Sequence, residues 1–355
     1  MPYIIGFGGN ALVYGGNYLG VPYPVSSLPP KHMHILFTDP SVDMNDNHWA
    51  SWWRRYTGTV VWTQLSSEPN LWDFYYDQDW SGVMHGDYMH PDNPFTGSTI
   101  HTGYDAAGIP GTMQILDANL EGVTTLSGAF LDNGKLTVAN LRNTTTVTNL
   151  DNCFNDAANL TDVPIFDTRN VTIFARMFWG CLALTAVPFY DTSAGTVMTG
   201  MFHGCRGLTS IPLFDTRRVT TMSSMLMYCS GLTSVPPFDT SSVTNMESMF
   251  SGCTSLTEVP AFNTANVTNM RTFCYGCSSL TRVPLLSTKR VQWIREAFEE
   301  CRNVEDGALA LYNQMISQQT PPTVYSGCFA NCGVDTQTGL QQLRQIPSAW
   351  GGMGN

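Results

Sequence analysis

Apolar and polar positions recur along this chain with a period of 24 residues. Leucine, proline, phenylalanine and cysteine each keep a fixed place in the period over most of the chain. The leucine positions are Leu136, Leu160, Leu184, Leu208, Leu232, Leu256 and Leu280. Weaker matches extend the pattern upstream to about residue 112 and give about eight copies. A fixed period of this length predicts a solenoid, because each copy has an apolar side that only its neighbours can bury.

Within one copy, the spacing of apolar residues predicts a short helix followed by a short strand. One face of the helix would carry Val243, Met246, Met249 and Phe250. Gly252 lies where a helix often ends in a left-handed residue, and "LTEVP" at 256–260 fits a short strand. The segment "VTNM" at 243–246 is an alternative second strand. The predicted fold class is therefore an α/β repeat solenoid of 24-residue coils.

A column of acidic residues allows two interpretations. Its members are Asp167, Asp191, Asp215 and Asp239. A calcium ladder is one possibility, but each copy has a single carboxylate and Asn263 and Ser287 continue the column. We favour turns in which the side chain accepts a hydrogen bond from a nearby backbone N–H.

The column of cysteines, from Cys181 to Cys301, is interpreted as a set of buried free thiols. Disulfides between neighbouring copies are the alternative, since strands stack about 4.8 Å apart. A metal site is disfavoured because the chain has no paired CxxC motifs. We therefore expect no cofactor and no metal.

Changes in composition divide the chain into four parts. Residues 1–31 are expected to be an N-terminal docking segment and linker, and residues 32–111 a small aromatic-rich β or α+β domain. Residues 112–304 hold the solenoid. Residues 305–355 are expected to form a C-terminal cap, with an inserted helix at 305–319 and a partial repeat.

Three groups of residues are candidates for binding. The glycine- and aromatic-rich N-terminus suggests docking through Tyr3, Ile4, Ile5, Phe7, Tyr14 and Tyr18, with an edge hairpin packed on the next domain as an equal alternative. The aromatic-rich part offers Trp72, Tyr75, Tyr76 and Trp80, ranked first as interface or core, then as a sugar site, a metal site or a catalytic site. The exposed positions of the solenoid offer Arg217, Arg218, Asn266 and Asn269.

Charge and motifs exclude some classes of function. The 355 residues carry a formal net charge of −11, which disfavours binding to nucleic acid. The chain has no recognisable catalytic motif, so we do not expect an enzyme. Its first residues lack the regions of a signal peptide, and no stretch reaches the roughly 18 apolar residues of a membrane span, so synthesis in a cytoplasm is expected.

The repeat, "LTxVPxFDTSxVTNMxxMFxGC", resembles the BspA-type leucine-rich repeats over roughly residues 112–304. This variant is common in surface proteins of mycoplasmas and gut bacteria. The resemblance implies a leucine-rich-repeat-like fold and a role in adhesion and protein–protein binding rather than catalysis. Unlike the bacterial adhesins, the chain is expected to have no export signal and no cell-wall or lipid anchor.

The two ends resemble virion proteins of tailed phages of gut bacteria. The similar segments are "YIIGFGGNALVYGGNYL" near the N-terminus and "SGCFANCGVDTQTGLQQLRQIPSAWGG" near the C-terminus. This resemblance implies a tail or head fibre or decoration protein, made in the host cytoplasm and then part of the virion. It would bind other virion proteins through its N-terminus and a host-surface protein or glycan through the solenoid. A homo-oligomer is compatible with this interpretation.

Two other functions are considered for the chain. One is a bacterial surface adhesin of the same repeat family. The other is a virion-borne enzyme that degrades glycans with the Asp- and Trp-rich segment at 72–95, in which two carboxylates would have to lie at a suitable separation.

Overall fold

The computed structural model describes residues 4–7, 10–13, 30–38, 60–65, 70–76, 111–163 and 166–354. Most of these residues lie in turns and extended segments. The regular elements are two β-sheets, one of them mixed, and a few short helices near the C-terminus. The described chain is therefore mostly non-helical.

The first two strands form an antiparallel hairpin. Strand β1 (Ile4–Phe7) pairs with β2 (Asn10–Val13), and Ile4 lies opposite Val13. The two residues between these strands are Gly8 and Gly9. Because such a short connection suits a tight hairpin, local sequence is sufficient to account for this pairing.

A mixed sheet of five strands follows, in the order β4-β5-β3-β6-β7. Its strands are β3 (His32–Phe37), β4 (Val60–Gln64), β5 (Leu71–Tyr76), β6 (Met113–Asn119) and β7 (Leu136–Arg142). Only the β6–β7 pair is parallel. The sheet therefore joins strands of the aromatic-rich part to the first copies of the repeat.

One face of this sheet is buried and the other is polar. In β3, Met33, Ile35 and Phe37 are fully buried, whereas His32 and His34 on the opposite face are half-buried. This alternation follows from the period of two in a strand. The buried face is continuous with the core of the repeats.

Consecutive copies of the repeat lie side by side and are joined by hydrogen bonds. Parallel bridges link the same place in each copy, beginning with Thr125 to Asn149 and continuing through Asn245 and Asn269 to Trp293. In the copy at 243–253, the N–H groups of alternate residues donate to carbonyls of the next copy. These bonds are Met246 to Asn269, Ser248 to Arg271 and Phe250 to Phe273, each 2.9 Å long.

The predicted short helix in each copy is wrong. Ser248 and Gly252 have φ values of 56° and 74°, which an α-helix does not allow. Their N–H groups donate to the next copy instead of to the residue four positions earlier. The segment is thus a run of turns that bends at every fourth residue and leaves alternate N–H groups available for the neighbouring copy.

The predicted strand at 256–260 is also corrected. These residues form no strand in the described chain. The strand-like pairing lies instead earlier in the chain, within the alternative segment "VTNM" at 243–246, where Asn245 bridges Thr221 and Asn269. Periodicity could not distinguish the two segments, because both carry apolar residues that face the core.

Aromatic rings stack from copy to copy in the core. The ring centroids of Phe130, Phe154, Phe178 and Phe202 are 5.1, 5.5 and 5.7 Å apart, and the rings are nearly parallel. All four side chains are fully buried. The cysteine column lies beside them: the Cys205 thiol donates to the Phe178 carbonyl at 3.0 Å.

All ten cysteines are buried and free, as the sequence predicts. Burial raises the pKa of the Cys205 thiol well above its ordinary value. Because the uncharged thiol is favoured there, these side chains serve as small core groups with one weak donor.

Polar side chains complete the turns of each copy. Asp239 Oδ1 accepts from the Ser241 N–H at 2.9 Å, and Asn263 Oδ1 accepts from the Ala265 N–H at 3.2 Å. This is the turn interpretation of the acidic column. One residue further on, a threonine hydroxyl donates across the copies: Thr240 Oγ1 to the Asn263 carbonyl, at 2.9 Å and fully buried. The same bond recurs from Thr144, Thr168, Thr192, Thr216 and Thr264.

The C-terminal part closes the last copy. It contains α1 (Ala308–Ile316), α2 (Gln337–Leu343) and a 3₁₀ helix (Ser348–Trp350). The predicted partial repeat continues beyond α1, since Trp293 bridges Val324 and the rings of Phe298 and Phe329 are stacked. At Thr288, where the other copies have a bond to the next copy, the hydroxyl instead accepts hydrogen bonds from Gln314 and Gln318. Helix α1 is shorter than the predicted 305–319, but it does cover the end of the threonine ladder.

Replacement of Phe250 by alanine should lower the free energy of unfolding by about 3–5 kcal/mol, because it opens a cavity in the ring-lined core. Thermal or denaturant unfolding measures the loss. Leu213→Ala is the control, since Leu213 is 53 % exposed and should change stability by only about 0.5 kcal/mol. A nearly neutral Phe250→Ala would contradict the inward position of this ring.

Replacement of Thr240 by valine should cost about 0.5–1.5 kcal/mol, because it removes the hydrogen bond from the buried Thr240 hydroxyl to the Asn263 carbonyl. Thr244→Val is the matched control. The hydroxyl of Thr244 is exposed, and its acceptor, the Thr220 carbonyl, also receives the Thr244 N–H. Denaturant unfolding measures the loss of unfolding free energy in both variants. Equal losses would show that the buried threonine hydroxyl stabilises the fold no more than the exposed one.

Candidate binding surface

Half of the six N-terminal candidates lie outside the described residues. Tyr3, Tyr14 and Tyr18 are outside, as is Trp80 of the aromatic-rich part. Ile4, Ile5 and Phe7 lie in β1, and their backbones pair with β2. A hairpin was the alternative to a docking peptide, and a paired backbone is compatible with either role.

The aromatic candidates on β5 are divided between the two faces of the sheet. Trp72 is fully buried and Tyr76 is 5 % exposed, so both belong to the core. Neither side chain is exposed for binding, so of the first-ranked alternatives, interface or core, the structure selects the core for both; the alternation of side chains along a strand explains this. Tyr75 lies on the opposite face, where its ring is 4.7 Å from that of His32.

The polar face of the sheet holds a network of ionisable side chains. The carboxylate of Asp73 lies 2.9 Å from His32 Nδ1 and 3.8 Å from His34 Nε2. Arg142 donates to Asp117 at 2.8 Å. Burial lowers the pKa of His34, although the Asp73 charge opposes that shift. Asp73 is one of several carboxylates in the 72–95 segment of the enzyme interpretation, and it is paired with histidines of the neighbouring strand.

The predicted binding residues of the repeat are partly engaged with neighbouring copies. Arg217 is exposed and pairs with Asp215 at 2.6 Å. Asn266 donates to the Ser241 carbonyl at 2.8 Å, and Asn269 donates to Glu247 at 3.1 Å. Arg218 lies in the same exposed turn as Arg217. The two asparagines therefore stabilise the scaffold as well as facing outward.

Sequence reasoning missed a row of aromatic side chains on the exposed turns. This aromatic row consists of Trp179, His203, Tyr228 and Tyr275. The Trp179 and His203 rings are stacked with centroids 3.5 Å apart, and Tyr228 meets His203 edge-on at 5.5 Å. Burial lowers the pKa of His203 to about 4, so the stacked imidazole is neutral at pH 7.

Glycines make room for the aromatic row. A Cβ on Gly200 would lie 2.8 Å from the Trp179 ring, and a Cβ on Gly252 would lie 2.3 Å from the Tyr228 ring. Each ring therefore rests on the bare backbone of the next copy. The signal was present in the sequence, because Trp179, His203 and Tyr275 share one place in the 24-residue period.

An open cleft of about 320 Å³ lies between the two tyrosines of the aromatic row. Tyr228 is 45 % exposed and Tyr275 is 39 % exposed. We call it the acidic cleft, because two carboxylates line it. Its lining residues are Met227, Tyr228, Ser251, Thr272, Tyr275, Glu296 and Glu299.

Glu299 lies close to other carboxylates at the acidic cleft. Burial raises the pKa of its carboxyl, and the neighbouring charges of Glu296 and Glu300 raise it further. Arg295 pairs with Glu296 at 2.7 Å. Negative charge is thus concentrated beside two partly exposed aromatic rings.

A separate exposed column of the repeat is apolar. Phe189, Leu213 and Leu285 share one place in the period and are 59 %, 53 % and 66 % exposed. Pro237 and Ala261 continue the column and are also exposed. Because a solvated apolar column does not stabilise the fold, it adds a second kind of surface available for contact.

The described residues offer neither a metal site nor a helix that could cross a membrane. No group of three or more His, Cys, Asp and Glu side chains there is placed to hold a metal ion. Within the same part of the chain, no helix has both the length and the apolar character that a membrane crossing requires.

These features define a protein of repeated copies with an exposed, chemically varied surface. The family model described as "Mycoplasma protein of unknown function, DUF285" matches residues 111–210 and 196–310. Together these matches cover more than half of the chain, which belongs to this family. The match lies on the predicted repeat and includes neither end. No curated protein and no solved structure matches the chain.

Proposed function

We propose that this protein is a non-enzymatic binding protein whose copies form a solenoid and present a repeated surface to a partner. The observation that carries the proposal is the hydrogen bonding between copies, which places side chains of equal period next to one another. The aromatic row, the acidic cleft and the apolar column are all arranged on that scaffold. Many weak contacts of one kind then add up when several copies of the protein are displayed together.

The setting we propose is the surface of a phage particle. It is supported by the resemblance of the two ends to virion proteins, with the N-terminal segment as the attachment and the repeats directed at a host-surface protein or glycan. A bacterial surface adhesin is the second candidate. It is favoured by the family match, whose description names Mycoplasma, and by the adhesive role that the BspA-type resemblance implies.

Purified full-length protein should bind the envelope fraction of the host bacterium in a saturable manner. Quantitative sedimentation or surface adsorption measures this binding, with an unrelated acidic protein of similar charge as the control. Because the contacts are weak and repeated, clustering the protein on beads should raise the apparent affinity by about 10²–10⁴. Absence of saturable binding would contradict the proposed function.

Mass spectrometry of purified particles, with the bacterial envelope measured in parallel, tests the setting. Stoichiometric presence in particles is the expected result, because the attachment segment would incorporate the protein during assembly. Presence on cells and absence from particles would contradict the phage setting and favour the adhesin.

A further inference from the structure

Tyr228 occupies a place in the period where its neighbours have glycine. The backbone at this place has positive φ in four successive copies. The φ values are 73° at Gly204, 60° at Tyr228, 74° at Gly252 and 69° at Gly276. A bulky residue is unfavourable in this conformation, whereas glycine is not. Asp156 and Glu300 also occupy this place, with φ of 57° and 60°, so the positive φ at Tyr228 is a property of the repeat and not of this residue alone.

The ring of Tyr228 is not part of the core. It is 45 % exposed and lies against the bare backbone of Gly252, with the edge of His203 beside it. Tyr228 is thus a partly exposed ring that lines the acidic cleft and is supported by contacts with Gly252 and His203.

The composition of the cleft selects for a positively charged group. Two tyrosine rings and two carboxylates line it, and its lining includes no lysine or arginine among the described residues. Arg295 is paired with Glu296, whereas Glu299 makes no salt bridge within the described chain. An ammonium group is attracted both to the π faces of the rings and to the carboxylate.

Size and charge narrow the choice of cation. A volume of about 320 Å³ suits a single side chain or small group. A phosphocholine headgroup has the required ammonium, but its phosphate would meet the negative charge of Glu296 and Glu299. A lysine side chain has the ammonium without an anionic neighbour on the same group.

We propose that the acidic cleft binds the ammonium group of a lysine side chain on the partner protein, which rests on the proposed binding function. Tyr228 and Tyr275 would flank the side chain, and Glu299 would accept a hydrogen bond from the ammonium. The hydroxyls of Ser251 and Thr272 offer further acceptors at the cleft.

Titration of the full-length protein with Nα-acetyl-lysine methylamide, followed by NMR, tests the proposal. The neutral analogue Nα-acetyl-norleucine methylamide should bind more weakly.

Tyr228→Gly and Glu299→Gln should each weaken binding of the lysine derivative about two- to fivefold. Tyr228→Gly places at this position the residue that neighbouring copies have, so it should retain the thermal stability of the parent protein. Glu258→Gln is the charge-matched control and should have no effect, since Glu258 is exposed and does not line the cleft.

Several results would overturn the proposal. They are no detectable binding of the lysine derivative, equal binding of the norleucine analogue, or unchanged affinity in both cleft variants. Tighter binding of phosphocholine would assign the cleft to a lipid headgroup instead. Envelope binding by the same variants distinguishes failure of the cleft assignment from failure of the proposed function. If the variants bind the envelope as well as the parent protein does, the cleft assignment fails while the proposed function stands.

Discussion

The backbone hydrogen bond from one copy of the repeat to the next is the interaction on which the rest of this structure depends. Alternate N–H groups, such as those of Met246, Ser248 and Phe250, donate to carbonyls in the following copy. A buried N–H without a partner is costly, so each copy requires its neighbour for polar as well as apolar reasons. The buried threonine hydroxyls add a second row of such bonds. Consequently, a copy cannot shift along its neighbour without breaking several bonds at once.

This fixed register determines what the surface can present. Side chains that share a place in the period become neighbours, whether they are the core rings or the exposed residues. The left-handed positions allow glycine, and glycine allows a ring from the preceding copy to lie flat on the backbone. The rings of Trp179 and Tyr228 both lie against such a glycine. A surface of varied chemistry can thus be built on turns whose backbone hardly changes from copy to copy.

The sequence alone was sufficient to find the period, the core columns and the polar turns. Phe250, the cysteines and Asp239 behave as their spacing predicts, because burial and turn geometry select for residue type directly. The helix could not be excluded, since apolar residues at 243, 246, 249 and 250 fit one helical face and also fit a run of turns facing a core. The decisive residue, Ser248, has a left-handed backbone without being glycine, and no local pattern indicates that.

The candidate site was harder to predict for a different reason. Aromatic residues are favoured both in cores and at interfaces, so Trp72 and Tyr76 could not be assigned to one or the other before the strand alternation was known. The acidic cleft combines residues from four successive copies, among them Tyr228, Tyr275 and Glu299. Their proximity depends on the register between copies, which the period suggests but does not fix.

The most direct test of this account is the deletion of one complete period, residues 217–240, which joins Thr216 to Ser241 and removes 24 residues. Thr216 would then take the place of Thr240 and donate to the Asn263 carbonyl. The account predicts a folded protein with one cooperative thermal transition, because every bond between copies can form again. Deletion of residues 217–239 shifts all later columns by one place and should abolish cooperative unfolding. If the two deletions behave alike, the register between copies is not what holds this structure together.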